Sequence, residues 1–431
     1  MGTDVGQVHD PNAGKDGPGG EVTDRRNLSD EHKKVWTELQ GMIGMDVTSM
    51  LSVPVWVMEP TSVLQKMAEI MENAHLLDSA ANCEDPMERM AWVAAFCTAV
   101  YGSSERTWKP FNPVLGETLQ IDLPGGGRYL SEQVSHHPPI GVGHGETELW
   151  EYDITSTPKT KFLGNSIEVY PLGRTRIRLK TTGEVFSLLP PNSKAYNLIV
   201  GSMWVDTFGA FKLNNLTTGA RVELDYRQCG WFGAGRYEVD GCVVDADGTK
   251  RLRVYGKWNE FMSFEPVDPA GEVLPDSEAT DMWTCAEKPE GDSYGFTKYV
   301  HDVVNRWAGP GLLRSDSRLR PDRAALEAGD SARAQEQKHR LEERQRAEKA
   351  RRVAEERPFS LRWFEADPGL EAVEGEYSVD ECPAFKFRGK FPGDEGAAAE
   401  NLCEVDTARW TQQDAERLFR PWQFVEAEEG G

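Results

Sequence analysis

The spacing of apolar residues changes character along the chain. In "KKVWTELQGMI", Lys33 to Ile43, the residues Val35, Trp36, Leu39, Met42 and Ile43 recur at helical spacing and Gly44 ends the run, which predicts a short amphipathic helix. The segments "TSVLQKMAEIMENAHLL" and "DPMERMAWVAAFCTAVYG" follow the same period, with Pro86 at a favourable first-turn position of the second. From Thr118 to Trp258 the period shortens to two. "RYLSEQV", "TELWEYDI", "SIEVY", "RTRIRLKTT", "ARVELDY", "GRYEVDGCVV" and "KRLRVYGKW" alternate, and "PLG", "TTG" and "ADG" punctuate the region as turns, which predicts consecutive antiparallel hairpins.

So many strands with one apolar face predict a large barrel or strongly curled sheet, since closure removes exposed edges. A barrel of that width is not filled by its own side chains and encloses a cavity, here lined by Val, Leu, Ile and Trp and large enough for a lipid. The fold class is therefore mainly β with α, an α+β chain: a curled antiparallel β-barrel with a small helical subdomain. "SDSRLRPD", Ser315 to Asp322, reads as an irregular loop. Asp330 to Arg357 is densely charged and lacks internal Gly or Pro, so it reads as one long exposed helix; Leu341 and Val353 are too sparse for a coiled-coil seam.

The ends differ from this body. Residues 1–29 are rich in Gly, Asp and Pro without periodicity and read as a disordered leader. Residues 366–431, heavy in Glu, Gly and Ala with scattered anchors at Trp410 and Trp422, read as a weakly packed acidic extension. The intervening 30–365 forms the main domain.

Charge narrows the function. A net charge of −23 argues against nucleic-acid partners and against permanent residence on an anionic membrane. An anionic ligand then needs a local cluster of Lys, Arg and His. The 7 cysteines are scattered without a CxxC pair, as expected of reduced thiols in a cytosolic protein rather than a disulfide framework or thiolate zinc site. No signal-peptide core is visible, no window approaches about 18 uninterrupted apolar residues, and Gly6 stands where a myristoylation motif wants Ser or Thr.

Candidate chemistry centres on "EQVSHHPPI", Glu132 to Ile140. Pro138 and Pro139 stiffen the segment, and strand alternation predicts that His136 and His137 point to different sides. That disfavours a shared metal ion, for which His144 is the one nearby third ligand, and a Ser135–His136 nucleophile pair lacks a strained elbow. Neither a metal nor a cofactor nor an enzymatic reaction is called for. An electrostatic role remains, because imidazoles near neutrality can become doubly protonated beside an anion. In "KPFNPVLGETLQ" the prolines fix Lys109 near a barrel mouth, and Lys338, Glu342 and Arg346 form an i, i+4, i+8 stripe about 12 Å long. Taken singly, these are exposed structural histidines, a linker and a salt-bridge ladder.

Taken together, "KPFNPVLGET", "EQVSHHPP" and "KHRLEERQR" resemble, in this order, the lipid-binding domain of the oxysterol-binding protein family. The likeness extends through "WTELQGMIGMD", "KFLGNSIEVYPLG", "NLIVGSMWVD" and "YGKWNE" to about Phe364. It implies a lidded tunnel, with the lid over about 33–53 carrying Trp36, Leu39, Met42 and Ile43. It also implies a carrier that exchanges phosphatidylinositol 4-phosphate for a second lipid between membranes. By motif match, Lys109, Asn112, His136, His137, Lys338 and Arg346 would contact the phosphates and Glu342 would orient the cations or the inositol. The lid region looks closer to the sterol-handling branch, with phosphatidylserine as the alternative second ligand. A lipid sensor or scaffold recruiting partners through the acidic extension is the competing class. The implied location is cytoplasmic, with transient contact at organelle membranes or membrane contact sites. "VGHGE", Val142 to Glu146, is richer in glycine than the family pattern.

Overall fold

A computed structural model describes residues 43–46, 53–198, 201–373, 376, 382–395, 397, 402–409 and 411–424. The leader, most of the helix expected over Lys33 to Ile43, and with it Trp36, Leu39 and Met42, lie outside the described residues, as does Trp410. Ile43 is exposed; beside it the Gly44 amide donates to the Phe162 carbonyl and the Phe162 amide to the Met45 carbonyl, so this piece of chain runs along the strand Lys159–Phe162.

Strand β1 (Met58–Ser62) leads into the first predicted helical segment, which is broken. Ser62 and Gln65 form a reciprocal capping box that starts a helix at Val63–Ala68, a 3₁₀ turn follows over Glu69–Asn73, and His75–Asn82 completes it. Tertiary partners override the helical period there. Glu69 pairs with Arg106 at 2.5 Å, and Asn73 accepts from the Trp283 indole at 2.8 Å. The next helix, Pro86–Ala99, opens as predicted, with Pro86 in the first turn and Asp85 accepting from the Met87 and Glu88 amides. It is buried nearly all round and packs on the strands Arg221–Tyr226, Glu238–Val244 and Lys250–Lys257, as a helix apolar on every face must.

Strand β2 (Lys109–Phe111) pairs with β1 in parallel. The main sheet begins at β3 (Thr118–Asp122), β4 (Arg128–His136) and β5 (Pro139–Glu146) and grows to 15 strands. It curls around one core that joins Met90, Val93 and Phe96 of the helix to Trp150, Tyr152, Val222, Val254 and Met262 of the sheet. The hydrogen-bonded path is open: β3 at one end and Thr280–Thr284 at the other are not paired with each other among the described residues. The sheet is therefore curled rather than closed, and the β3 edge is capped by polar groups. The Thr118 amide donates to the Ser315 carbonyl at 2.9 Å, the Gln120 amide to the Asp316 carboxylate at 3.1 Å, and Arg318 donates to the Gln120 carbonyl. The stretch expected to be a loose loop, Ser315 to Asp322, is therefore a buried polar plug, with a 3₁₀ turn at Ser317–Leu319.

The C-terminal extension is not weakly packed. Residues Phe385–Phe387 pair with Phe364–Ala366, Leu402–Asp406 pair with Ala308–Leu313, and Phe391, Phe419, Trp422 and Phe424 are buried. Phe419 and Trp422 pack with Val114, Leu312, Leu319 and Leu341, and for Phe391 the cause lies in the sheet. The outer face of β4 and β5 carries Leu130, Val134, Ile140 and Val142, an apolar stripe that Trp363, Phe364 and Phe391 cover.

The glycines of "VGHGE" have a packing reason. Gly141, Gly143 and Gly145 share the inner face of β5, where a Cβ on Gly143 would stand 2.5 Å from the Tyr129 hydroxyl and one on Gly141 3.0 Å from the Met67 sulfur. Their absent side chains let Tyr129 and the helix Val63–Ala68 approach the strand. Gly143→Ala is expected to cost roughly 1–3 kcal/mol by overpacking. Adding Tyr129→Phe should recover part of that loss in a double-mutant cycle of urea unfolding; strict additivity would contradict the proposed clash.

Candidate functional site

Three elements converge at one end of the sheet. Pro110 and Pro113 hold the loop after β2, where the Lys109 ammonium donates to the Asn112 side-chain oxygen at 2.7 Å and the Pro110 carbonyl at 3.2 Å. The second element is the long helix Ser331–Ala354, close to the predicted bounds and started by the Asp330 side chain accepting from the Arg333 amide. It was expected to be exposed, yet Ala334, Gln337, Lys338, Leu341 and Glu348 are buried. On it Lys338 pairs with Glu342 at 2.7 Å and Arg346 with Glu342 at 3.6 Å, so Glu342 spaces the two cations.

The third element is the turn from β4 to β5. His136 ends β4, while His137 and Pro138, joined by a cis peptide bond, make the turn. The two rings are not directed apart as expected: their centroids lie 4.6 Å apart at 71°. Alternation of side chains holds within a strand, and His137 is already outside it. The His136 Nδ1 lies 3.2 Å from the Pro113 carbonyl, which can only accept, so Nδ1 carries the hydrogen and ties this turn to the Lys109 loop.

These elements enclose a cavity of about 250 Å³ lined by Lys109, Asn112, His136, His137, Lys338, Glu342 and Arg346, the seven residues that the resemblance implied for the headgroup. The structure adds Arg320 and Gln345 to the wall. Arg320 is buried and donates to Glu117 at 2.7 Å, to Asp322 at 2.7 Å and to the Asn112 carbonyl at 3.0 Å. Against the burial that opposes its charge, Asp322 and Glu117 hold its guanidinium above its ordinary value. The sequence signal for it was the density of charge in "SDSRLRPD", which reads as solvated unless its burial is known.

Electrostatics distinguish fixed from adjustable groups. Burial, then the neighbouring Lys338 and Arg320, bring the Lys109 amine down to about 8. Burial, then His137, bring His136 down to about 4, with the Pro113 carbonyl opposing. His137 is lowered as well, by burial and then by Lys349. The imidazoles are therefore neutral at neutral pH, and an anion in the cavity would reverse the cation crowding and favour their charged forms.

The basic cavity is the first of three in series. A second, of about 90 Å³, shares Asn112, His136 and His137 with it and reaches Val63 and Met67. The third, of about 290 Å³, shares Val63 and Met67 with the second and is walled by Ile70, Tyr101, Ile154, Leu172 and Leu188. Donors for an anion thus stand at the head of an apolar chamber. Among the described residues no three His, Cys, Asp or Glu side chains gather as metal ligands; His144 binds Asp153 at 2.7 Å and stacks on Phe387.

The family model described as oxysterol-binding protein matches residues 34–389. The chain is similar to oxysterol-binding protein-related protein 3C of Arabidopsis thaliana, at 44% identity over 421 residues, 97% of this chain and 90% of that protein. Its fold is similar to the Osh1 ORD domain solved in complex with cholesterol, with a TM-score of 0.72 at 33% identity over 82% of this chain and 86% of that one. It is also similar to the Osh3 ORD of Saccharomyces cerevisiae solved with PI(4)P, with a TM-score of 0.62 at 28% identity over 74% of this chain and 83% of that one.

The titration of Lys109 provides a check on the cavity that needs no ligand. With the amine carried as a ¹³C-methyl label, its NMR titration should centre near about 8 and move upward in Lys338→Met, where one crowding cation is gone. A Lys109 midpoint at the ordinary lysine value in the parent would contradict the cavity as described.

Proposed function

Because the chain belongs to the oxysterol-binding protein family, we propose that it is a lipid-transfer protein that exchanges phosphatidylinositol 4-phosphate for a sterol between membranes. The observation that carries this reading is the serial arrangement of a basic cavity and an apolar chamber sharing His136, His137, Val63 and Met67 through the space between them. That arrangement suits an amphiphile with a polyanionic head. A phosphate monoester carries about −1.5 to −2 charges and three acceptor oxygens, which calls for several convergent donors. Lys109, Lys338, Arg346 and the paired imidazoles supply them, with Asn112 and Glu342 setting their directions.

A protein carrier is needed on energetic grounds. Moving a sixteen-carbon acyl chain into water costs about 0.8 kcal/mol per CH₂, on the order of 13 kcal/mol, and an apolar chamber removes most of that barrier. No step in this cycle breaks a covalent bond, so no enzymatic reaction is assigned. The sterol is assigned as second ligand because the Osh1 ORD neighbour was solved with cholesterol; phosphatidylserine is the alternative occupant. The scaffold reading gains nothing from Trp422, which is buried against the body.

Membrane contact has a candidate surface. Following the antiparallel order from β4 through the sheet, the loop between Arg221–Tyr226 and Glu238–Val244 emerges at the same end as the His136–His137 turn. At its tip Trp231 is 88% and Phe232 93% exposed, and Phe232 has a φ of 61°. Aromatic side chains favour the bilayer interface, and a chain with a net charge of −23 gains little general attraction to anionic lipids. Among the described residues no helix is long and apolar enough to cross a membrane, so the contact proposed is peripheral and transient, at cytoplasmic faces of organelle membranes.

Two measurements test these assignments. His136→Ala with His137→Ala should reduce extraction of labelled phosphatidylinositol 4-phosphate from liposomes by at least about tenfold, equivalent to the loss of one charge-assisted contact, while sterol uptake persists. Extraction at the parent level would reject the headgroup assignment. Trp231→Ala with Phe232→Ala should lower sedimentation with neutral liposomes and slow transfer of both lipids, leaving equilibrium binding of a short-chain, water-soluble ligand unchanged. Unaltered sedimentation and transfer would remove this loop from the membrane surface.

A further inference from the structure

The long helix meets the cavity with one face and the C-terminal segment with another. Lys338, Glu342 and Arg346 form the cavity stripe. A second stripe, at three- and four-residue spacing, runs through Arg333, Gln337, Arg340, Arg344, Glu348 and Arg351, and residues 411–424 engage every position of it. Glu416 binds Arg333, accepts from the Gln337 side-chain Nε2 at 3.2 Å and lies 3.7 Å from Arg340. The Arg344 guanidinium lies over the Trp422 ring at 4.7 Å, and Arg351 over the Phe424 ring at 4.1 Å. The Phe424 amide donates to Glu348 at 3.2 Å. Between the two stripes, Leu341 packs in one cluster with Leu418, Phe419 and Trp422.

The same segment also holds the opposite wall. Val114, next to the Lys109 loop, belongs to the cluster of Leu341 and Trp422. Gly116 has a φ of 80°, and a Cβ there would stand 3.0 Å from the Pro421 carbonyl oxygen. Residues 418–424 are thus wedged behind the junction of the two elements that carry Lys109 and Lys338. On its body side the helix is held by Ala334, which packs with Val55, Phe111 and Leu326, and by the Gln335 and Gln345 side chains, which accept from the Val55 and Leu115 amides; beyond Leu341 and Ala334 its buried surface is polar, so the C-terminal segment supplies the contacts on its other side.

We propose that residues 411–424 are a latch that sets the rotation and distance of the long helix across the phosphate cavity, making Glu416, Trp422 and Phe424 positioning residues for headgroup capture. This rests on the headgroup assignment above. None of the three lines the cavity, and each acts through an arginine or carboxylate on the back of the helix. The latch makes headgroup capture selectively dependent on the extension, because the apolar chamber is walled by the strands and helices of the core and not by this segment.

The full chain with Trp422→Ala and Phe424→Ala tests this against the parent and the conservative Trp422→Phe. Affinities are measured for a short-chain phosphatidylinositol 4-phosphate and for a fluorescent sterol. Removing three ring–guanidinium contacts, Arg344 on Trp422 and both Arg351 and Arg357 on Phe424, is expected to weaken the phosphoinositide by at least about tenfold and the sterol by less than about twofold. Trp422→Phe, which keeps a ring beneath Arg344, should restore most of the phosphoinositide affinity. Hydrogen exchange should rise in the long helix and not in the sheet. If the double variant does not fold, Glu416→Gln decides, since it removes one charge without opening a cavity and should still shift the phosphoinositide alone. Equal loss of both ligands, or loss of neither, overturns the latch. A parent that takes sterol and no phosphoinositide would instead overturn the headgroup assignment, and the latch with it.

Discussion

The structure depends on a set of guanidinium–carboxylate pairs buried where the sheet would otherwise have a raw edge. Asp316 holds Arg318, Asp322 and Glu117 hold Arg320, and Arg323 donates to the Pro60 and Arg318 carbonyls, all with almost no exposed surface. A lone charge in that setting would be severely destabilising, on the order of 3–5 kcal/mol when one partner is removed, so each partner enforces the presence of the others. The geometry that results is specific. Thr118 and Gln120 of β3, the turn at Ser317–Leu319 and the helix Pro321–Glu327 cannot shift independently, because fork-shaped donors tolerate little misalignment.

The cavity is assembled on that plug. Arg320 lines the cavity wall while all three of its nitrogens donate to Glu117 or Asp322, so it enters the wall as a fixed, already paired guanidinium. Lys109 and His136, beside it, are lowered chiefly by burial, with Arg320 among the lesser causes, so their protonation is adjustable where that of Arg320 is fixed. The division suits a site that must both hold and release a highly charged group. A cavity of wholly permanent cations would bind its anion too persistently for a carrier, and a wholly neutral one would not draw it out of a membrane surface.

Much of this was legible from the residues. The period-two runs placed most strands within a few positions, since one face of nearly every strand meets the same core, and Pro86 marked its helix because a proline lacks the amide hydrogen that an interior turn needs. The seven headgroup candidates were found by motif and converge as a group. Three features were not legible. The segment from Thr61 to Leu77 reads as one helix because period does not reveal that Glu69 and Asn73 have buried partners far along the chain. "SDSRLRPD" reads as a loop because a charge pattern looks the same on a surface and in a paired interior. The extension reads as loose because its few aromatics are spaced without period; the burial of Phe391 depends on an apolar stripe more than two hundred residues earlier, at Leu130 to Val142, and that of Phe419 and Trp422 on Val114, Leu312, Leu319 and Leu341.

The hydrogen on Nδ1 of His136, committed to the Pro113 carbonyl, leaves the other ring nitrogen with a lone pair. A lone pair repels phosphate oxygens, so a headgroup can approach that nitrogen only with a proton between them. On the headgroup reading proposed above, that proton is drawn from the surrounding water on capture and returned on release, except where the phosphate arrives already protonated. If the lipid carried is the phosphoinositide proposed above, uptake of that proton from water makes loading easier where protons are plentiful and unloading easier where they are scarce, without any contact between the protein and the machinery that maintains the difference.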